Sequence, residues 1–142
     1  MLRAIDIIGE KHFQKGINEA LRNTVNFLLK VKFTSGNIPA SYPAKRDSLV
    51  HFCHGPTGAV VMFLTAYQHF KDEKYLVAAL KVGEAIWRRG LILSGNGLCH
   101  SITGNIYPFL TLAKFKQGYK WKLRAYQFAL LALNKDIIKM RK

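Results

Sequence analysis

The sequence predicts an all-α fold built as an array of helix pairs, and three observations carry that reading. Apolar residues recur at helical spacing between scarce prolines, which stand at Pro39, Pro43, Pro56 and Pro108. No segment reads as an alternating strand. A block of sequence recurs: CHGPTGAVVMFLT begins at Cys53, and CHSITGNIYPFLT begins at Cys99, 46 residues later. The overlay sets His54 on His100, Thr57 and Gly58 on Thr103 and Gly104, and Phe63, Leu64 and Thr65 on Phe109, Leu110 and Thr111. A period in the forties with two helices per unit marks an α/α array, whose units stack because none can bury its apolar face alone.

Each element follows in order. Residues 17–32 place Ile17, Ala20, Leu21, Val25, Leu28 and Leu29 on one stripe and predict the first helix. Residues 34–48, TSGNIPASYPAKRDS, carry Gly36, Asn37, Pro39 and Pro43 and read as a long loop. A second helix is expected over 58–70, a polar turn over 71–73, and a third helix over 74–89 with Gly90 at its C-terminal cap. Residues 91–98, with Gly95, Asn96 and Gly97, form a connector. A fourth helix starts near Gly104 or Asn105 and ends before Gly118, and a fifth runs from Lys120 to the C-terminus.

The 142 residues are one domain's worth of chain or a piece of a larger one. Forty-nine percent is hydrophobic, which excludes wholesale disorder. Twenty-two Lys and Arg against eight Asp and Glu give a formal charge of +14, which points to an acidic partner: nucleic acid, an anionic membrane surface or an acidic peptide. The densest basic cluster, KFKQGYKWKLR over 114–124, mixes cations with Tyr119 and Trp121, a pattern that can bind single strands but more often packs its aromatics inward. Nucleic acid is therefore the less favoured partner. The N-terminal MLRAIDIIGEKHF lacks an uninterrupted apolar stretch and a small-residue cleavage site, and the longest apolar run, 59–67, is far shorter than a membrane span. With only Cys53 and Cys99, no disulfide framework is available, and the expected setting is a reducing cytosol.

The repeat places two Cys-His pairs on adjacent loops of one face, which makes them a metal-site candidate. Zinc takes thiolate and imidazole donors, four in structural sites and three plus an open position in catalytic ones. Adjacent residues can share an ion only where the backbone turns sharply, and Gly55, Gly95 and Gly97 permit such turns. The competing reading is that Cys53 and Cys99 are buried small apolar residues. Among the other histidines, His12 and His69 read as surface or core residues, and His51 is the best further candidate because it lies two residues before Cys53.

At these motifs the chain resembles the LanC-like family, the eukaryotic relatives of bacterial lanthionine cyclases, whose motifs read WCHGAPG and GLCHGxAGNAYAFL. Here they stand as FCHGPTG from Phe52 and GLCHSITGNIYPFL from Gly97. The segment FTSGNIP from Phe33 is similar to the family's FPSGNYP, and RDSLVH from Arg46 to its RDxLVH. Residues 67–75 and 86–91 also follow the family, and the resemblance covers roughly 20–135.

The resemblance implies an α/α toroid of about seven helix pairs, of which residues 1–142 would form a single partial domain with two to three pairs. It implies one zinc ion held by Cys53, Cys99 and His100, with His54 as a rim residue and a weak catalytic candidate. It also implies an activity: a zinc-bound thiol, of glutathione or a peptide, adds to dehydroalanine or dehydrobutyrine in a protein or peptide to form a thioether. The alternative is a zinc- or glutathione-binding or adaptor protein without turnover. Three departures bear on the site and the fold. Phe52 replaces a Trp of the site wall. Ser101 replaces a Gly beside the last ligand, where its Cβ is expected to crowd the turn. Pro108 replaces an Ala and is tolerated only in the first turn of its helix.

Overall fold

The computed structural model of the chain describes residues 1–116 and 118–139, without the side chains of residues 137 and 138. Among these residues all regular structure is helical: α1 (Leu2–Ile8), a 3₁₀ turn (Glu10–His12), α2 (Ile17–Val31), α3 (Pro56–Phe70), α4 (Glu73–Arg89), α5 (Ile106–Leu112), α6 (Gly118–Leu133) and α7 (Lys135–Lys139). No described helix is long and apolar enough to cross a membrane.

Two helical hairpins stack side by side. Helices α3 and α4 form the first, α5 and α6 the second, and α3 packs on α5. Pro56 opens α3 at its first position, where the missing N–H would have had no helical partner. Lys71 closes α3 in the left-handed conformation at φ 56°, and its N–H bonds the Tyr67 carbonyl at 2.9 Å. Asp72 then caps α4 by accepting from the Lys74 N–H at 3.1 Å. Pro108 is the third residue of α5, still within the four N–H groups that lack partners, so it breaks no helical bond.

An aromatic cluster joins the hairpins. The Phe109 ring stacks on Trp121 at 5.9 Å and meets Phe128 edge-on at 5.1 Å, and Trp87 lies 5.8 Å from Phe128. Beside it Glu84 of α4 pairs with Lys120 at 2.5 Å and Arg124 at 2.9 Å, both on α6. Burial alone would raise the Glu84 carboxyl, but the hydrogen bonds from Arg124 and Lys120 outweigh it and hold the group below its ordinary range.

Several elements differ from expectation. Helix α1 was not expected: at seven residues it is too short to show a period, and it is held by burying Leu2 and Ile5 and by an Asp6–His69 contact of 2.5 Å. Helix α5 ends several residues early because Lys114 and Phe115 close tight turns onto Thr111 and Leu112, which brings Phe115 back toward Tyr67 with ring centroids 6.1 Å apart. The fifth helix does not run through: α6 stops at Leu133, and Asn134 accepts from the Asp136 N–H at 2.9 Å, capping α7 as a separate turn. Residues 140–142 of that expected helix lie outside the described residues, as does Gln117 of the basic cluster. In that cluster Trp121 is buried as expected, whereas Tyr119 is exposed.

The loop over 34–48 is organised by a single carboxylate. Asp47 accepts from Ser35 at 2.5 Å, from the buried Asn37 at 2.7 Å and from Arg89 of α4 at 2.6 Å. Burial alone would raise its carboxyl, but these three donors outweigh it and hold it below its ordinary 3.8. A group depressed on folding stabilises the fold above its unfolded value, and that contribution is lost as pH falls through the folded one. Asp47→Asn should therefore lower the urea midpoint at pH 7 and flatten the loss of stability between about pH 5 and 2. An unchanged slope would remove Asp47 from this role.

Gly83 offers a second test. Mid-helix, Ala would normally be better by about 1 kcal/mol. A Cβ at Gly83, however, would lie 2.6 Å from a Leu112 methyl and 2.9 Å from the Trp121 ring, both fully buried. Overpacking at about 1–3 kcal/mol outweighs the propensity gain, so Gly83→Ala should lower stability in denaturant unfolding. A stabilised variant would contradict this packing.

Candidate metal centre

The two motif loops lie against each other through backbone contacts. The Phe52 and Cys53 N–H groups both donate to the Cys99 carbonyl, at 2.9 and 3.4 Å. Each loop is tucked under the start of its own helix in the same way. A Cβ on Gly58 would come within 2.7 Å of the Phe52 oxygen, and one on Gly104 would overlap the Leu98 oxygen. Those pairs are repeat mates, so the repeated glycine exists because a carbonyl occupies the space of its side chain. Gly55 permits the turn after His54: its φ is 123°, and a Cβ there would stand 2.5 Å from the Leu49 oxygen.

The loops are fixed to one another by Asn105, which is fully buried. Its Oδ1 accepts from the Thr57 hydroxyl at 2.5 Å, and its Nδ2 donates to the carbonyls of Val50 at 3.1 Å and Gly90 at 2.8 Å. One amide thus joins the segment before the first motif, the start of α3 and the end of α4. From sequence, Asn105 reads as a residue of the second motif at a helix start, with no role of its own. It does sit at the N-cap of α5, but its side chain turns inward and makes no cap bond. The available signal was its match to the Asn of the second motif, immediately before the apolar run of α5.

Cys53, Cys99 and His100 come together, with one ligand atom from each lying within 4.8 Å of the others. All three are exposed, which settles the competing reading of buried cysteines. A tetrahedral ion with Zn–S bonds of about 2.3 Å needs its sulfurs about 3.8 Å apart, so this donor set closes around such an ion with a small adjustment. Two soft thiols and one imidazole suit zinc, and three donors leave a fourth position open. The Cys99 thiol is held above its ordinary range, first by a hydrogen bond with Cys53, then by desolvation and by the charge Cys53 would carry. Ionising both thiols side by side is unfavourable unless a cation is shared between them.

Three neighbours shape the site. His54 Nδ1 lies 3.2 Å from the Cys53 sulfur. The His51 ring is 5.9 Å from that of His100, and burial, then His100 and His54, lower its proton affinity. Ser101 is the correction here: its hydroxyl donates to the Gly97 carbonyl and accepts from the Thr103 N–H, so it fastens the turn after His100 instead of crowding it. His69 belongs elsewhere, bonded to Asp6 and Asn18, and His12 is exposed in the 3₁₀ turn.

Stacked helical hairpins carrying a Cys/Cys/His group on repeated loops define the class: part of an α/α toroid with a candidate metal site on its rim. The chain belongs to the lanthionine synthetase C-like protein family, whose model matches residues 4–141. The described hairpins are accordingly a portion of that toroid. The chain is 41% identical over 121 residues to the zebrafish (Danio rerio) protein named glutathione S-transferase LANCL1, covering 85% of this chain and 30% of that protein. It is 34% identical over 111 residues to the Arabidopsis thaliana LanC-like protein GCL1, covering 77% of this chain and 25% of that protein. The chain thus spans about a third or less of the length of these relatives.

Asn105→Ala strands the Thr57 hydroxyl and two carbonyls, and each buried unsatisfied group costs about 1–3 kcal/mol, so a loss of about 3 kcal/mol or more is expected in chemical denaturation. Asn105→Asp should cost as much, because a carboxylate cannot donate to Val50 and Gly90. Wild-type stability in Asn105→Asp would contradict the assignment.

Proposed function

We propose that Cys53, Cys99 and His100 bind one zinc ion, and that this centre activates a thiol for addition to dehydroalanine or dehydrobutyrine, forming a thioether. The observation that carries the reading is the meeting of two thiols and an imidazole, all exposed, within 4.8 Å on loops that the sequence duplicates. A zinc ion bound there supplies one thing: a coordinated thiol ionises near neutral pH. The zebrafish relative's name supports glutathione as that thiol. His54, in contact with the Cys53 sulfur, is the candidate for holding a proton beside the reacting groups. Both exposed thiols fit a reducing compartment. The +14 charge supports an acidic protein, or an anionic membrane surface, as a further partner.

The second reading is a zinc- or glutathione-binding protein without turnover. It is favoured by the donor set itself, because three donors suffice for binding whereas addition also needs an acceptor site and proton delivery.

Metal analysis of the purified chain should find about one zinc per molecule, lost in Cys99→Ala. A metal-free wild-type chain that does not take up zinc would defeat the enzyme reading and zinc binding, and would leave only glutathione binding, which calorimetric titration with glutathione tests. Glutathione and a dehydroalanine peptide then separate them. Zinc-dependent thioether formation that is abolished in Cys53→Ala, and slowed in His54→Gln with zinc retained, supports the enzyme. Zinc binding without product supports the binding protein.

A further inference from the structure

A cavity of about 220 Å³ adjoins the candidate metal centre, with Cys53 and His54 contributing to its lining. Its remaining walls come mainly from Leu28 of α2, Ile38 and Pro39 of the long loop, Phe52, and Ala59 and Met62 of α3. No Lys, Arg, Asp or Glu lines it, in a chain with 22 Lys and Arg. The volume equals the share of about seven waters, enough for a medium-sized apolar side chain. Leu28, Ile38, Pro39, Phe52 and Met62 give this open cavity an apolar side, and an apolar group laid on that side displaces water from surface that offers it few hydrogen bonds.

The position of the cavity defines its occupant. Consecutive Cα atoms of a peptide stand about 3.8 Å apart, so the residue next to a cysteine drawn to the three donors is within reach of a cavity that shares Cys53 with them. The segments that build it are also fixed. Ile38 is buried and its N–H bonds the Asn37 side chain at 2.8 Å, which Asp47 in turn holds, while the Phe52 N–H is tied to Cys99. A cavity with fixed walls selects among side chains by size and polarity.

We propose that this cavity is a specificity subsite that receives a Leu- or Met-sized apolar side chain adjacent to the substrate cysteine, so that the site takes cysteinyl peptides with such a neighbour. Glutathione, which carries no apolar side chain, leaves the subsite empty. The inference rests on the metal reading given above, and its test separates the two.

The test uses the full chain loaded with cobalt(II), whose thiolate charge-transfer and visible bands report the donors and respond to an added thiol. Capped dipeptides pairing cysteine with Leu, Ala or Asp, in both orders, are titrated against these bands. In one order the Leu peptide should bind about tenfold tighter than the Ala peptide, in line with burial of one apolar side chain, and the Asp peptide should be weakest. Met62→Trp fills the cavity and should erase the Leu advantage without weakening the Ala peptide. If Met62→Trp loses helical signal, Leu28→Ala, which enlarges the cavity, should reduce the advantage instead. Equal binding of the Leu and Ala peptides, or a Leu advantage untouched by a folded cavity variant, overturns the subsite and leaves the metal reading standing. Absence of the thiolate bands from the wild-type chain overturns the metal reading and the subsite with it.

Discussion

The buried amide of Asn105 is the interaction on which the rest of the molecule turns. Three chain segments that carry or support the Cys-His loops converge there: the strand of loop ending at Val50, the start of α3 at Thr57, and the end of α4 at Gly90. None of these carbonyls and hydroxyls belongs to a helical ladder, and burying them without partners would cost several times about 1–3 kcal/mol, a large share of a domain's net stability. One side chain with an acceptor and two donors satisfies all three. Because it does so at the base of both loops, the backbone bonds from Phe52 and Cys53 to Cys99 can form above it, and the donor atoms meet.

The repeat explains how such a site arises from two copies of one hairpin. Each copy contributes a loop, a glycine that lets the loop pass beneath a helix start, and a Cys-His pair. The copies then diverge where they must. Asn105 of the second copy stands opposite Ala59 of the first, so one joining amide is supplied and not two. The two histidines diverge in position as well: His100 joins the donor group, while His54 leans on the Cys53 sulfur from outside it. A duplicated motif thereby yields three donors and an accessory imidazole, and leaves one side open.

Much of this was legible in the sequence, and the exceptions have physical causes. The bounds of α2, α3 and α4 follow from apolar period and from Gly and Pro punctuation, since these helices are long and bury one face. The shared face of the Cys-His loops follows from the repeat. Helix α1 escaped because seven residues hold too little period and their stability comes from α3. The early end of α5 comes from tight turns at Lys114 and Phe115 that seat Phe115 beside Tyr67, a contact remote in sequence. Asn105 and Ser101 were invisible as fasteners because Asn105 stood in a motif at a helix start with no partner in view, and Ser101 read as a replaced glycine whose Cβ crowds the turn. Only the fold reveals that their partners are loop carbonyls.

The central claim is that the two loops form one mixed sulfur–nitrogen metal site, and zinc-edge X-ray absorption of the purified chain tests it most directly. Two sulfur neighbours at about 2.3 Å and nitrogen or oxygen neighbours at about 2.0–2.1 Å are the expected shell. A shell of nitrogen and oxygen alone would contradict it, because it would mean that Cys53 and Cys99 meet in the fold without sharing an ion.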